Sequence, residues 1–95
     1  MIPNEVSKDL RLLGEKYKLE KVMVFGSRAR GDHDDRSDVD LAIVAPNLSP
    51  SNWLHLLEDI EGLETLLKFD VVCFTQASDS LKDDIIACYR TIYRM

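Results

Sequence analysis

Asp38 and Asp40 stand one residue apart at the head of an apolar, β-branched run, DVDLAIV, and Gly26-Ser27 closes another, KVMVF, upstream. Strand side chains alternate with period two, so carboxylates at i and i+2 share one face while Val39 and Leu41 point to the other. Aspartate is depleted in strands, and two within three residues of a strand start need a reason. Like charges about 4 Å apart repel by ~4 kcal/mol at an effective dielectric near 20, so a proton or a cation must offset them. A divalent cation such as Mg²⁺ is one answer. The plainer one is that one aspartate caps the loop and the other faces water.

The Gly-Ser turn supplies the complementary chemistry. Gly26 lets a ligand approach the backbone closely, and Ser27 opens a helical turn whose free N–H groups and dipole favour an anion. Arg28 and Arg30 follow in reach, with planar, forked donors that suit phosphate. Taken alone, GSRARG reads more simply as a strand-to-helix turn with a serine cap and solvent-exposed arginines. The carboxylates shift that balance toward a phosphate cradle beside a cation site. Asp70 is the third candidate, at the start of FDVVCF. If that strand lies beside DVDLAIV, Asp70 completes a carboxylate trio on one face; otherwise it is an exposed strand-entry residue.

The elements that must position these residues are legible in the pattern. Pro3 suits a first helical turn, and Val6, Leu10, Leu13 and Tyr17 recur at helical spacing, which predicts an amphipathic helix over 3–17. Lys21 to Phe25 reads as a strand and 38–44 as a second. Between them, GSRARGDHDDRS is expected to form one helical turn and then an exposed loop. Pro46-Asn47 ends the second strand; Ser49-Pro50 caps and opens a helix with an apolar stripe of Trp53, Leu56, Leu57, Ile60, Leu63 and Leu67. That stripe is core, with Glu58, Asp59, Glu61 and Glu64 on the solvated side. Phe69 to Phe74 is a third strand. Ser80 with Asp83 resembles a capping box opening a last helix, whose buried stripe is Leu81, Ile85, Cys88 and Ile92. Tyr89 and Tyr93 fall off that stripe, read as half-buried aromatics in preference to part of a protein interface. The order predicts an α/β or α+β layer, a small mixed β-sheet packed with helices.

Ninety-five residues suggest a single domain over 1–95, without length for a second substrate-binding module. With 45% hydrophobic and 31% charged residues, the chain reads as globular rather than disordered. No apolar run approaches the roughly 18 residues of a membrane span, and the N-terminal stretch lacks a secretory apolar core. Cys73 and Cys88 read as small core residues rather than a disulfide or zinc framework, so the expected compartment is the cytoplasm. A net charge of −5 argues against a long nucleic-acid partner, which calls for a basic surface. It leaves a free nucleotide, with metal ions supplying positive charge. Two look-alikes fail: DHDDRSDVDLAI lacks the turn glycine and final glutamate of a calcium loop, and GSRARG lacks the P-loop lysine. His33 and His55 have no partners at zinc spacing.

GSRARG at 26–31, SDVDL at 37–41 and a downstream strand aspartate at Asp70 resemble the minimal nucleotidyltransferase (MNT) domains of the DNA polymerase beta-like superfamily. The resemblance spans nearly the whole chain, and the loop DHDDRS carries extra acidic residues. It implies a metal-dependent nucleotidyltransferase taking ATP or another nucleoside triphosphate. Asp38 and Asp40 would bind two Mg²⁺, and Asp70 would ligate the ion that activates an acceptor hydroxyl. Gly26 and Ser27, with Arg28 or Arg30, would hold the departing pyrophosphate. Larger members of the superfamily carry an additional acceptor domain, so here the acceptor site is expected on a partner or a second copy. The resemblance implies a small helical HEPN protein in a toxin–antitoxin pair, in which some MNT proteins transfer AMP to a partner tyrosine. The alternative is a binding module that neutralises its partner by contact. An aminoglycoside-type transferase is disfavoured by the missing acceptor domain.

Overall fold

The computed structural model describes residues 2–31 and 38–95. Its elements run α1 (Asn4–Lys16), β1 (Lys21–Phe25), α2 (Ser27–Arg30), β2 (Val39–Val44), α3 (Pro50–Glu61), β3 (Phe69–Cys73), a 3₁₀ turn, α4 (Asp79–Ala87) and β4 (Tyr89–Arg94). The strands form one mixed sheet in the order β3-β2-β1-β4. β1 is antiparallel to both neighbours, and β2 is parallel to β3. The parallel pair needs a crossover, and α3 supplies it.

Alternation along the strands divides the core in two. Val22, Val24, Val39, Leu41 and Ile43 face α1 and α3, packing with Val6, Leu10, Leu56 and Ile60. On the opposite face a smaller cluster of Met23, Ala42 and Ile85 holds α4 to the sheet, flanked by Phe25, Val72 and Leu81. Asp40 and Asp70 belong by register to this second, thinner face.

Local chemistry sets the element ends. Pro3 precedes α1 in an extended conformation, and Glu5 complements the dipole of its first turn. Ser49 Oγ accepts from the Asn52 N–H at 3.2 Å, with Pro50 as the first residue of α3. Lys16 Nζ and the Tyr17 hydroxyl both donate to Asp59 Oδ2, at 2.9 and 2.6 Å, and pin α1 to α3. Asp59 is therefore a tie between helices rather than a plain solvated acid. Gly14 lets α1 lie against β4, since a Cβ there would meet the Tyr93 ring at 2.6 Å.

The C-terminal region differs from the sequence expectation. The last helix stops at Ala87, and Tyr89–Arg94 forms an edge strand against β1 instead of continuing the helical stripe. Ile92 is buried from the strand, beside a register shift at Val22/Met23. The cap of α4 is Ser78, whose Oγ accepts from Leu81 N–H at 3.2 Å; Ser80 already lies inside the helix. Leu63 and Leu67 lie past the end of α3 yet still pack on the larger core. Phe74 starts the 3₁₀ turn rather than ending β3. Cys73 and Cys88 are free and half-buried, not fully buried. The expected loop after the α2 turn, with His33, lies outside the described residues.

Candidate functional site

Strand register brings the chemistry-bearing residues together. Asp40 pairs with Asp70 across the parallel β2–β3 ladder and with Phe25 across the antiparallel β1–β2 ladder. The Val39 N–H donates to the Lys68 carbonyl at 2.8 Å, which aligns the entries of β2 and β3. Val39 and Leu41 are fully buried on the core side, so Asp40 between them projects to the other face. Asp38, just ahead of β2, is exposed, as is Asp70, while Asp40 is half-buried. The conditional expectation for Asp70 is thus met in its premise: its strand does lie beside the second.

The turn after β1 comes to the same place because β1 and β2 run in opposite directions. Gly26 ends β1 at φ +72°, a conformation that glycine adopts without strain. A Cβ added there would overlap Asp40 Oδ2, so the carboxylate rests directly against the turn. One close approach thereby joins the two halves of the motif. Ser27 opens α2, a single turn closed by Arg30 N–H to the Gly26 carbonyl at 3.1 Å and Gly31 N–H to the Ser27 carbonyl at 3.0 Å. Gly31 then leaves the helix in the left-handed region at φ +85°. The leading N–H groups of so short a helix have no intrahelical acceptor.

The arginines part company. Arg30 is exposed and bears on Asp40 electrostatically, whereas Arg28 retains only 5% exposure. A solvent-exposed pair, the plain sequence reading, is wrong for Arg28. The one-turn helix packs on β1 and β4, and its inward side carries Arg28 and Ala29.

Burial pushes the Asp40 carboxyl above its usual range, with the charges of Asp70 and then Asp38 adding to the effect and Arg30 opposing it. Such a carboxylate gains from a nearby cation. Among the described residues, Asp38, Asp40 and Asp70 included, no group of three or more His, Cys, Asp or Glu side chains is gathered so as to hold a metal ion. Mg²⁺ is usually held by one or two carboxylates together with substrate phosphates, not by an all-protein cage. The donor set here, acidic oxygens beside the Gly26 turn, has that character.

Sequence reasoning missed the other end of this row. Phe25 pairs with Tyr89 as well as with Asp40, so Tyr89 lies level with the carboxylates on the same face. The available signal was the β-rich alternation in YRTIY, which the helical spacing of Ile85, Cys88 and Ile92 masked.

Comparison with known proteins agrees with this arrangement. The family profile described as polymerase beta, nucleotidyltransferase matches residues 8–95. Two Methanocaldococcus jannaschii proteins that bear the name protein adenylyltransferase are similar over 86 residues each, at 31% and 33% identity. Both alignments cover 83% of this chain and 86% of the relative. Among solved structures, a toxin–antitoxin crystal structure with AMP-PNP superimposes with a TM-score of 0.74 at 22% identity, covering 94% of this chain and 73% of that one. A Shewanella oneidensis complex of a tri-AMPylated HEPN toxin with its MNT antitoxin gives 0.68 at 19%, covering 96% and 71%. At such identities the superpositions show a shared fold.

Proposed function

The chain belongs to the polymerase beta nucleotidyltransferase family, and from that premise we propose that it transfers AMP from ATP to a hydroxyl on a HEPN-type partner protein, as the antitoxin of a toxin–antitoxin pair. The observation that carries the reading is the contact of Gly26 with Asp40, which sets a phosphate turn against a carboxylate paired with Asp70. The names of the relatives support an adenylyl group and a protein acceptor. The fold neighbours, a toxin–antitoxin structure with AMP-PNP and a complex of a HEPN toxin with its MNT antitoxin, support the partner. A single nucleotidyltransferase domain over 1–95, acting in the cytoplasm, goes with this reading.

In the reaction the acceptor oxygen attacks the α-phosphorus, the bond to the bridging oxygen breaks, and pyrophosphate leaves. Asp38, Asp40 and Asp70 would hold Mg²⁺, which when bound offsets phosphate charge and acidifies the acceptor hydroxyl. Gly26 and Ser27 receive the β- and γ-phosphates on backbone N–H groups and the serine hydroxyl. Arg30, on the exposed side of α2, adds positive charge to the departing pyrophosphate. Asp70 accepts the acceptor proton from its exposed position at the entry of β3. Arg28 is buried on the inward side of α2.

Incubation with Mg²⁺, the HEPN partner and ATP labelled at either the α- or the γ-phosphate tests the proposal. Label should reach the partner from α-labelled ATP alone and vanish on Asp38→Ala or Asp40→Ala. Neutralisation of the partner that survives both substitutions, with no label transferred, would establish the contact-only binding module instead.

A further inference from the structure

Four side chains from four strands form one row across the thinner face of the sheet: Asp70, Asp40, Phe25 and Tyr89, each register-paired with the next. At the roughly 4.8 Å spacing of hydrogen-bonded strands the row is about 14 Å long. Its two halves differ in chemistry. One end is anionic and abuts the Gly26 turn. The other is aromatic.

The aromatic end is built rather than incidental. Phe25 is half-buried, its ring resting on the small core of Met23, Ala42 and Ile85. Tyr89 keeps 40% of its surface exposed, and Lys21 Nζ stands 4.7 Å from its ring centroid. Lys21 reaches it from the far end of β1, away from the carboxylates, in a cation–π contact with the ring. Tyr89 thus leaves aromatic surface exposed on the edge strand, in register with Phe25 and Asp40.

We infer that Phe25 and Tyr89 form the nucleoside platform of this site, on which the base of a nucleoside triphosphate stacks while its phosphates lie toward Gly26 and Asp40. The inference rests on the nucleotidyltransferase reading and adds where the base goes and how it is read. A nucleoside triphosphate would meet the row with a cation between its phosphates and the carboxylates, which leaves its flat end over the aromatic half. Stacking tolerates any base, because every base has a π-face, so the platform favours larger purines over pyrimidines without strict selection. Tyr89 contributes its ring, not its hydroxyl.

Calorimetric titration of the full chain with Mg²⁺-ATP and, separately, Mg²⁺-tripolyphosphate tests this. Loss of one stacked aromatic weakens single-base binding by roughly tenfold. Tyr89→Ala should therefore weaken ATP about tenfold, leave tripolyphosphate unchanged, and leave the melting temperature near that of the unaltered protein. Tyr89→Phe should bind both ligands normally. Equal ATP affinity in Tyr89→Ala, or equal weakening of ATP and tripolyphosphate, would overturn the platform while leaving the transferase reading intact. If the unaltered chain binds neither ligand, the transferase reading and the platform fall together. Asp40→Asn separates the two: it should weaken both ligands, because it acts at the phosphate end.

Discussion

The two faces of the sheet are made by the same strands and differ in burial and charge. On β2, Val39, Leu41 and Ile43 are buried against α1 and α3, while Asp40 lies between them on the face that α4 only partly covers. The thick face gains stability from burial. The thin face accepts a cost: Asp40 sits half-buried beside Asp70 and Asp38, and its carboxyl is pushed up as a result. Period-two alternation is what lets one short strand carry both loads. Binding residues can then be held to strand precision without disturbing the core that supports them.

The largest expected effect on the thick face is from Leu41→Ala, which leaves a cavity at a fully buried position. It should cost about 2–5 kcal/mol in denaturant unfolding, with activity per folded molecule retained. A loss of activity without a loss of stability would break the division between faces. Gly26→Ala comes next, since it forces a side chain into the left-handed region and onto the Asp40 carboxylate. A cost of roughly 1–3 kcal/mol and a marked loss of Mg²⁺-ATP affinity are expected together. Unchanged affinity would detach the turn from the carboxylate site.

A smaller effect sharpens the account of α4. Ser78→Ala should cost about 1 kcal/mol by removing the cap, and Ser80→Ala less than about half of that. Equal costs would restore Ser80 as the cap.

The pH dependence of stability should distinguish two carboxylates by sign. Asp59 is held below the usual carboxylate range, by the Tyr17 hydroxyl first and the Lys16 ammonium next. Its contribution is present above the ordinary carboxylate value and is lost as pH falls through its lowered one. Asp40 behaves conversely: its contribution is present below the ordinary value and is lost as pH rises through its raised one. Melting temperatures followed through mild acid should therefore fall less steeply in Asp59→Asn than in the unaltered chain. In Asp40→Asn they should fall more steeply. Parallel slopes in all three would contradict the assignments.

Much of this was legible in the sequence, for identifiable reasons. α1, β1, β2, α3 and β3 follow from periodicity, and the face of Asp40 follows from strand alternation, whereas Asp38, expected inside the second strand, lies just ahead of β2. Asp70 needed one further fact, that β3 pairs with β2, which local pattern does not supply. The strand at Tyr89–Arg94 was hidden because Ile85, Cys88 and Ile92 extend a helical spacing across it, and tertiary pairing with β1 overrode that preference. With β4 read as helix, Tyr89 could not be placed beside the carboxylates. The burial of Arg28 was equally out of reach, since a one-turn helix has no periodicity to say which arginine turns inward.

The central claim is that the thin face performs chemistry at some cost to stability, and Asp40→Asn tests it most directly. Transfer from α-labelled ATP and the melting temperature at neutral pH are measured on the same preparation. The account predicts a loss of transfer by at least about a hundredfold with a melting temperature equal to or above that of the unaltered protein. Undiminished transfer, or a loss of transfer that only mirrors a loss of folded protein, would contradict it.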